Sequence, residues 1–461
     1  TILKLLGTAG TAAMASNGVG YAAGLRSAAS VEATAQSDIE PFEIHVSDAE
    51  LDSLHDRLAD IRWPPNSPGE PWAYGTDRAY LEELLAYWRD QYDWRVHEAE
   101  LNSFNHYMTT IEGQRLHFIH QEGQGRGTRS LPLIMSHGWP GTIWEMLPSV
   151  RALSHPASNN GAVVDSFSVV LPSIPGFGFS GEPLEGTDIA RTAELWVALM
   201  DKLGYERFGA YGSDWGAGIT RVLGARYPDR VVGIHTPGAP PRAQREAETE
   251  EEREYLAAAE LWSVEETGYQ RIQGTKPQTL AFGLTDSPAG LAAWITEKLR
   301  SWSDCDGDVE SRFSKDQILT LVSVYWHTRT IGTSVRYYHA NGLGSSRPRR
   351  QNLFSPDGIR VPQGYAGFPG IRARRPMPRS FAGELPENVT HWTQFETGGH
   401  FPAIEEPELL VKDLRQFFRP LRGLSSFLGA CLRQGSTPGR CSPRERRHRS
   451  RSLQYHPCRS R

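Results

Sequence analysis

"AYGSDWGAG", residues 210–218, puts an acid at the apex of a turn built from small residues. A sharp strand–turn–helix junction holds its apex residue in strained backbone geometry. The strand and the helix can close on each other only where the residues two positions to either side are small. Around Asp214 those positions are Gly212 and Gly216; around Ser213 they are Tyr211 and Trp215, which are too large. The pattern selects Asp214, not Ser213, as the exposed nucleophile.

The flanks say what kind of sheet carries this turn. "LPLIMSHGWPG" (131–141), "FSVVLPSIPG" (167–176), "RFGAYGSDWG" (207–216) and "RVVGIHTPG" (230–238) are short apolar runs that end in turn residues. "AELWVALMDKLG" and "GAGITRVLGARYP" have the spacing of helices between them. Alternating strands and helices predict an α/β fold, a mainly parallel sheet with helices on both faces. In such sheets the site lies beyond the carboxyl ends of the strands, where these unusual residues fall. The strand pattern resumes at "GIRVPQGYAGFP" and "VTHWTQF", and "EPELLVKDLRQFF" closes it with a helix.

Two regions interrupt the alternation. Residues 39–125 open with "SDAELDSLHDRLADIRW", in which Ser47 and Glu50 have capping-box spacing and Leu51, Leu54, Leu58 and Ile61 line one face. A Pro/Gly/Trp-rich loop leads to a second amphipathic helix, "DRAYLEELLAYWRDQYDW". This arm lacks the apolar runs for a core of its own, so it is expected to wrap a larger domain. Residues 240–345 form a helical insertion: a charged helix, "PRAQREAETEEEREYLAAAELW", then "GLAAWITEKLRSW" and "DQILTLVSVYWHTRTIGTSVRYYHAN". An insertion after a sheet strand makes a natural lid over the core segments 126–239 and 346–419.

Composition narrows the partners. The chain has 461 residues, 39% of them hydrophobic, and a net charge of −5, which gives no reason to expect nucleic acid or an acidic membrane. Its four cysteines do not make a disulfide framework: Cys305 stands alone and the rest lie in the tail. The uncharged run 5–25 is made mostly of Ala, Gly, Ser and Thr rather than large apolar residues, so no transmembrane segment is expected. Residues 1–38 are Ala/Gly-rich, and "ATAQ" (33–36) offers a signal-type cleavage site, so export by a twin-arginine-type signal stands beside a cytoplasmic location. Residues 420–461 hold ten arginines, one acid and no lysine. They are expected to be a solvated, disordered tail, and arginine without lysine also looks like GC-rich DNA read out of frame.

Two further motifs give Asp214 partners. "SHGWPG" (136–141) follows an earlier strand, where an oxyanion-hole loop belongs, and "GGHFPAIEEP" (398–407) puts His400 after the last strand, the place of a general base. His137 is the rival histidine, expected to shape its loop by bonding to the backbone. The order of nucleophile first and histidine last is that of the α/β hydrolases.

With these motifs, residues 39–418 resemble an epoxide hydrolase of the microsomal type. The arm, HGWPG, GSDWG, "TKPQTLAFGLTDSPAGLAAWITEKLRSWSD" and "GGHFPAIEEPELL" carry the likeness as a set. The resemblance implies an α/β-hydrolase fold with a helical cap and wrapping arm, no cofactor and no metal, and a detoxifying hydrolysis whose partners are a small apolar epoxide and water. A homodimer is left open. It also implies two tyrosines that hold the epoxide oxygen, mapping to Tyr269 in "ETGYQRIQ" and Tyr338 in "SVRYYHAN", with Tyr337 packing. The oxyanion would sit between the backbone N–H groups of Trp215 and Trp139.

The pattern departs from the family at the acid that should orient His400. "VPQGYAGFP" (361–369) is present, but "GIRARRPMPRSFAG" (370–383) follows with no acid, so either Glu384 is the nearest candidate or this stretch is out of frame. Two other readings stay open: a haloalkane dehalogenase, which also uses an aspartate elbow followed by tryptophan, and a catalytically impaired hydrolase-fold binding protein.

Overall fold

The computed structural model describes residues 38–124, 130–156, 163–240, 245–343, 358–369 and 377–422. The expected export segment, nearly all of the arginine-rich tail and the acid-free stretch 370–376 lie outside them. Among the described residues nine strands form one sheet: β1 (Glu40–Pro41), β2 (His106–Ile111), β3 (Gln114–Gln121), β4 (Leu131–Ser136), β5 (Phe167–Pro172), β6 (Phe208–Gly212), β7 (Val231–Pro237), β8 (Gln363–Gly367) and β9 (Val389–Gln394). Their order is β1-β2-β3-β5-β4-β6-β7-β8-β9. Every pair from β5 across to β9 is parallel, whereas β1, β2 and β3 add on antiparallel.

The strands β5 and β6 are buried at every residue, as expected for a sheet covered on both faces. The order also fixes where the site must be. From β4 the chain turns to β5 on one side, then crosses to β6 on the other, which opens a crevice at the carboxyl ends of β4 and β6. Ser136 and Gly212, the last residues of those strands, are register partners.

Helices in chain order are α1 (Asp48–Ala59), α2 (Arg78–Asp90), α3 (Trp94–Leu101), α4 (Leu147–Ser154), α5 (Ile189–Lys202) and α6 (Trp215–Arg226). Between β7 and β8 come α7 (Glu250–Glu265), α8 (Gly268–Thr275), α9 (Pro277–Asp286), α10 (Pro288–Trp302), α11 (Lys315–Thr328) and α12 (Ile331–Ala340). The short α13 (Pro402–Glu405) and α14 (Pro407–Phe418) follow β9. Consecutive residues of β7 show the two covered faces: Gly233 abuts Phe417 of α14, while Ile234 abuts Gly224 of α6. A Cβ at Gly233 would press on Leu421 and Phe417, so the missing side chain lets α14 lie close to the sheet.

The arm joins the same core. Leu54, Leu58, Leu81, Leu84, Leu85 and Trp88 belong to one apolar cluster with the sheet. From Asp38 onward the chain is one unit. Helices α1 and α2 pack on α10, and α2 and α3 on α11, so the arm wraps the helical insertion.

Several boundaries depart from the sequence reading. The helix expected over 77–94 ends at Asp90, and Asp93 caps a separate α3 by accepting the Arg95 N–H at 2.9 Å. The charged helix starts only at Glu250, because Thr249 and Glu252 close a capping box there. At α1 just half of the expected box forms. Ser47 accepts the Glu50 N–H, but the Glu50 carboxylate pairs with Arg329 instead. The β2–β3 hairpin was not anticipated. It turns at Glu112 and Gly113, both with positive φ.

Candidate active site

Asp214 leaves β6 with φ 49° and ψ −118°, directly before the first turn of α6. A left-handed φ on an aspartate costs on the order of 1–3 kcal/mol and persists only where neighbours enforce it. Here they do. A Cβ on Gly212 would collide with the Gly216 backbone, and one on Gly216 with the Ser136 carbonyl. Ser213 N–H donates to that same carbonyl at 3.2 Å, tying the turn to the end of β4. The Asp214 side chain keeps 22% of its surface exposed.

Its two oxygens face different groups. Oδ1 accepts the backbone N–H of Trp139 at 2.9 Å. A Cβ at Gly138 would collide with the Asp214 side chain, so the glycine lets this loop approach. The Trp215 amide, the first of α6, is among the N–H groups a helix leaves unpaired, and its end of the helix favours negative charge. Oδ2 lies 3.5 Å from His400 Nε2. His400 is itself pinned to the insertion, since its backbone N–H donates to the Trp302 carbonyl at 2.9 Å and its ring meets the Trp302 ring edge-on at 5.0 Å.

The insertion closes over these groups with aromatic rings. Tyr269 (α8) stacks on Trp139 with centroids 5.4 Å apart, and Tyr338 (α12) meets Trp215 edge-on at 4.8 Å. The two tyrosine rings lie 5.7 Å apart and nearly perpendicular. Burial, and then Tyr269 and Asp214, push the Tyr338 hydroxyl well above the usual tyrosine range, so it stays protonated. Tyr337 is bound elsewhere, its hydroxyl paired with Thr192 on α5 at 2.8 Å. Among the described residues the indole N–H groups of Trp139 and Trp302 are buried without an acceptor.

His137 is fully buried. Its Nδ1–H donates to the Gly138 carbonyl at 3.1 Å and its Nε2 accepts the Ile174 N–H at 3.1 Å. Burial lowers its pKa to about 4, so it is a neutral loop-former that no longer has a nitrogen to offer a substrate. Glu384 is not brought to His400. Phe381 and Ala382 bury against Tyr255 and Ala247, which leaves the chain from Gly383 to Glu387 on the surface. Among the described residues no hydrogen bond or ion pair joins Glu384 to the imidazole.

Two acids that the sequence reading passed over lie close by. Glu405 is buried and accepts the Phe401 and Asp304 N–H groups at 2.8 and 2.9 Å; burial raises its pKa, an effect that these bonds and nearby His400 partly offset. Its position five residues after His400, within the quoted motif, was the available signal. Glu145 is buried against the hydroxyl of Ser213, the residue before Asp214, and nothing in "TIWEML" marks it as buried. Elsewhere His235, His391 and Asp413 have metal-ligand spacing. There Asp413 accepts both Nε2–H groups, at 2.8 and 2.7 Å, so the cluster is already held together by hydrogen bonds.

Comparison with known proteins bears on the fold and the family. Residues 39–146 match the family described as epoxide hydrolase N terminus, and residues 132–292 match the alpha/beta hydrolase fold. Epoxide hydrolase 1 of Sus scrofa is 34% identical over 414 residues, which cover 84% of this chain and 89% of that protein. The crystal structure of juvenile hormone epoxide hydrolase from the silkworm Bombyx mori aligns with a TM-score of 0.72 at 28% identity, covering 84% of this chain and 96% of that one. Aspergillus niger epoxide hydrolase aligns at 0.71 with 27% identity, covering 83% and 96%.

Proposed function

The chain belongs to the microsomal-type epoxide hydrolase family, hydrolases acting on ether bonds, and from that premise we propose that it opens an apolar epoxide to a vicinal diol through an ester on Asp214. The observation that carries this reading is the division of labour at Asp214. One oxygen is held by a backbone N–H, and the other faces the histidine.

A carboxylate suits displacement at saturated carbon because it attacks without first losing a proton. Oδ2 attacks an epoxide carbon; the C–O bond to the ring oxygen breaks, and that oxygen takes a proton from Tyr269 or Tyr338. His400 then removes a proton from water, and the hydroxide adds to Cγ of Asp214. Negative charge builds on Oδ1, where the Trp139 and Trp215 amides serve it, each worth about 3–4 kcal/mol. The intermediate collapses as the Cγ–Oδ2 bond breaks, the proton of the added hydroxyl passes to the departing Oδ2 to give the second hydroxyl of the diol, the histidine's proton returns to the tyrosinate, and the aspartate is restored with the oxygen from water. The ring of Trp139, Trp215, Tyr269, Trp302 and Tyr338 supports an apolar substrate. The unpaired indole N–H groups favour one that carries an acceptor oxygen.

Single turnover of styrene oxide in heavy-oxygen water tests the ester. One labelled oxygen is expected in the peptide bearing Asp214 by mass spectrometry. An unlabelled peptide after diol release would overturn the covalent route. Bromide release from a bromoalkane without any diol from styrene oxide would favour dehalogenation instead.

A further inference from the structure

The carboxyl group of Glu145 is buried beside Ser213, the residue before the nucleophile, and has no part in the chemistry above. It sits on the 3-10 turn Ile143–Met146, which follows the HGWPG loop. Its carboxylate fills the space a side chain at Gly141 would need, since a Cβ there would collide with it. The Ser213 hydroxyl donates to Oε1 at 3.3 Å, so the group touches the residue before Asp214 on one side and the oxyanion loop on the other. Tyr325 of α11 locks that loop from above by donating its hydroxyl to the Gly141 carbonyl at 2.9 Å.

The groups facing Glu145 offer it no counter-charge. Asp214 lies at the start of α6, Tyr211 on β6 and Tyr325 on α11, and α13, which carries Glu405, packs on its turn. The oxyanion loop adds a hydrogen bond from the Gly138 backbone, and the histidine of that loop, His137, is neutral. No lysine or arginine pairs with Glu145 among the described residues. Two carboxylates in one enclosed site cannot both ionise cheaply. Asp214 has the amide, the helix end and partial exposure, so Asp214 takes the charge and Glu145 the proton.

We propose that Glu145 is a positioning residue for the ester-hydrolysis step. As a neutral carboxylic acid it braces the Gly138–Gly141 loop, keeps the Trp139 amide aimed at Oδ1, and leaves the oxyanion that forms there without a negative neighbour. This rests on Asp214 being the nucleophile. Burial, then the Asp214 charge, raises the Glu145 pKa to about 8 in the free enzyme. Esterification removes the Asp214 charge, so in the intermediate Glu145 ionises at lower pH than in the free enzyme. Ester breakdown should therefore need His400 neutral and Glu145 protonated, and its rate should rise and then fall as pH increases.

The test is single-turnover kinetics on the full chain with styrene oxide between pH 6 and 10, following ring opening and ester breakdown separately by tryptophan fluorescence. The native enzyme is expected to give a bell-shaped breakdown rate. Glu145→Gln, neutral at every pH, should keep both rates within about threefold at pH 7 and lose the descending limb. Glu145→Ala should slow breakdown at pH 7 by about tenfold or more, with ring opening less affected, as the loop loses its brace. An unchanged descending limb in Glu145→Gln would overturn the proposal, whether or not the alanine variant folds. A failure of the underlying reading looks different: the native enzyme itself would show no mass increase on the Asp214 peptide.

Discussion

The Asp214 carboxylate is asymmetric, with Oδ1 at 2.9 Å from the Trp139 amide and Oδ2 at 3.5 Å from His400. Removing its charge while keeping its shape, by Asp214→Asn, should lower kcat/KM by about 10³-fold or more in a diol assay, because an amide oxygen is a poor nucleophile. In the proposed mechanism the tyrosines act on the other atom of the breaking bond. Tyr338→Phe and Tyr269→Phe should each slow ring opening by about 10- to 100-fold, the worth of a hydrogen bond to a charged oxygen, and mainly in kcat. Tyr337→Phe is the control: it loses the bond to Thr192, so about 1 kcal/mol of stability goes in denaturant unfolding, with ring opening little changed.

Among the elements, the β6–α6 junction is the most constrained. Gly216→Ala sets a methyl against the Ser136 carbonyl, which forces α6 off the end of β4. The expected cost is about 1–3 kcal/mol in denaturant unfolding, together with a loss of activity greater than the loss of folded protein, because both Asp214 and the HGWPG loop move. The same junction was the easiest element to read, since the glycines announce the close approach. The antiparallel hairpin was harder. β2, "HYMTTI", and β3, "QRLHFIHQ", mix histidine and glutamine into buried positions that local polarity argues against. Those polar groups are satisfied only across the fold: His106 bonds His117, and His117 bonds Ser173 beyond β5.

Over the whole molecule, buried neutral histidines link stability to pH. Burial lowers the pKa of His106, His117, His137 and His235 below the ordinary histidine value. The unfolded chain therefore takes up protons that the native state refuses, so this stability is full above about pH 7 and is lost as pH falls below about 6.5. For His137, at about 4, the loss reaches on the order of 3 kcal/mol by pH 4. Denaturant unfolding at pH 7.5, 5.5 and 4.5 should give a monotonic fall, and a flat profile would contradict it. Asp413 acts in the same sense. Burial alone would raise its pKa, but the hydrogen bonds from His235 and His391 more than offset that and hold it well below the carboxylate range. Asp413→Asn should cost about 2–4 kcal/mol at pH 7, with the gap to the native protein narrowing below about pH 4.

The sequence alone determined the parallel sheet, the turn that singles out Asp214, and the loops that bring Trp139 and His400 to it. Each of these rests on local signals: apolar runs, glycines where backbones touch, and a fixed order along the chain. Only the tertiary structure decided which acids lie buried around them. Glu384 lies on the surface because Phe381 and Ala382 bury beside α7, while Glu405 and Glu145 are drawn inside by packing between elements far apart in sequence. Whether a carboxyl group is solvated, paired or enclosed beside another charge is set by distant neighbours, and no local pattern records them.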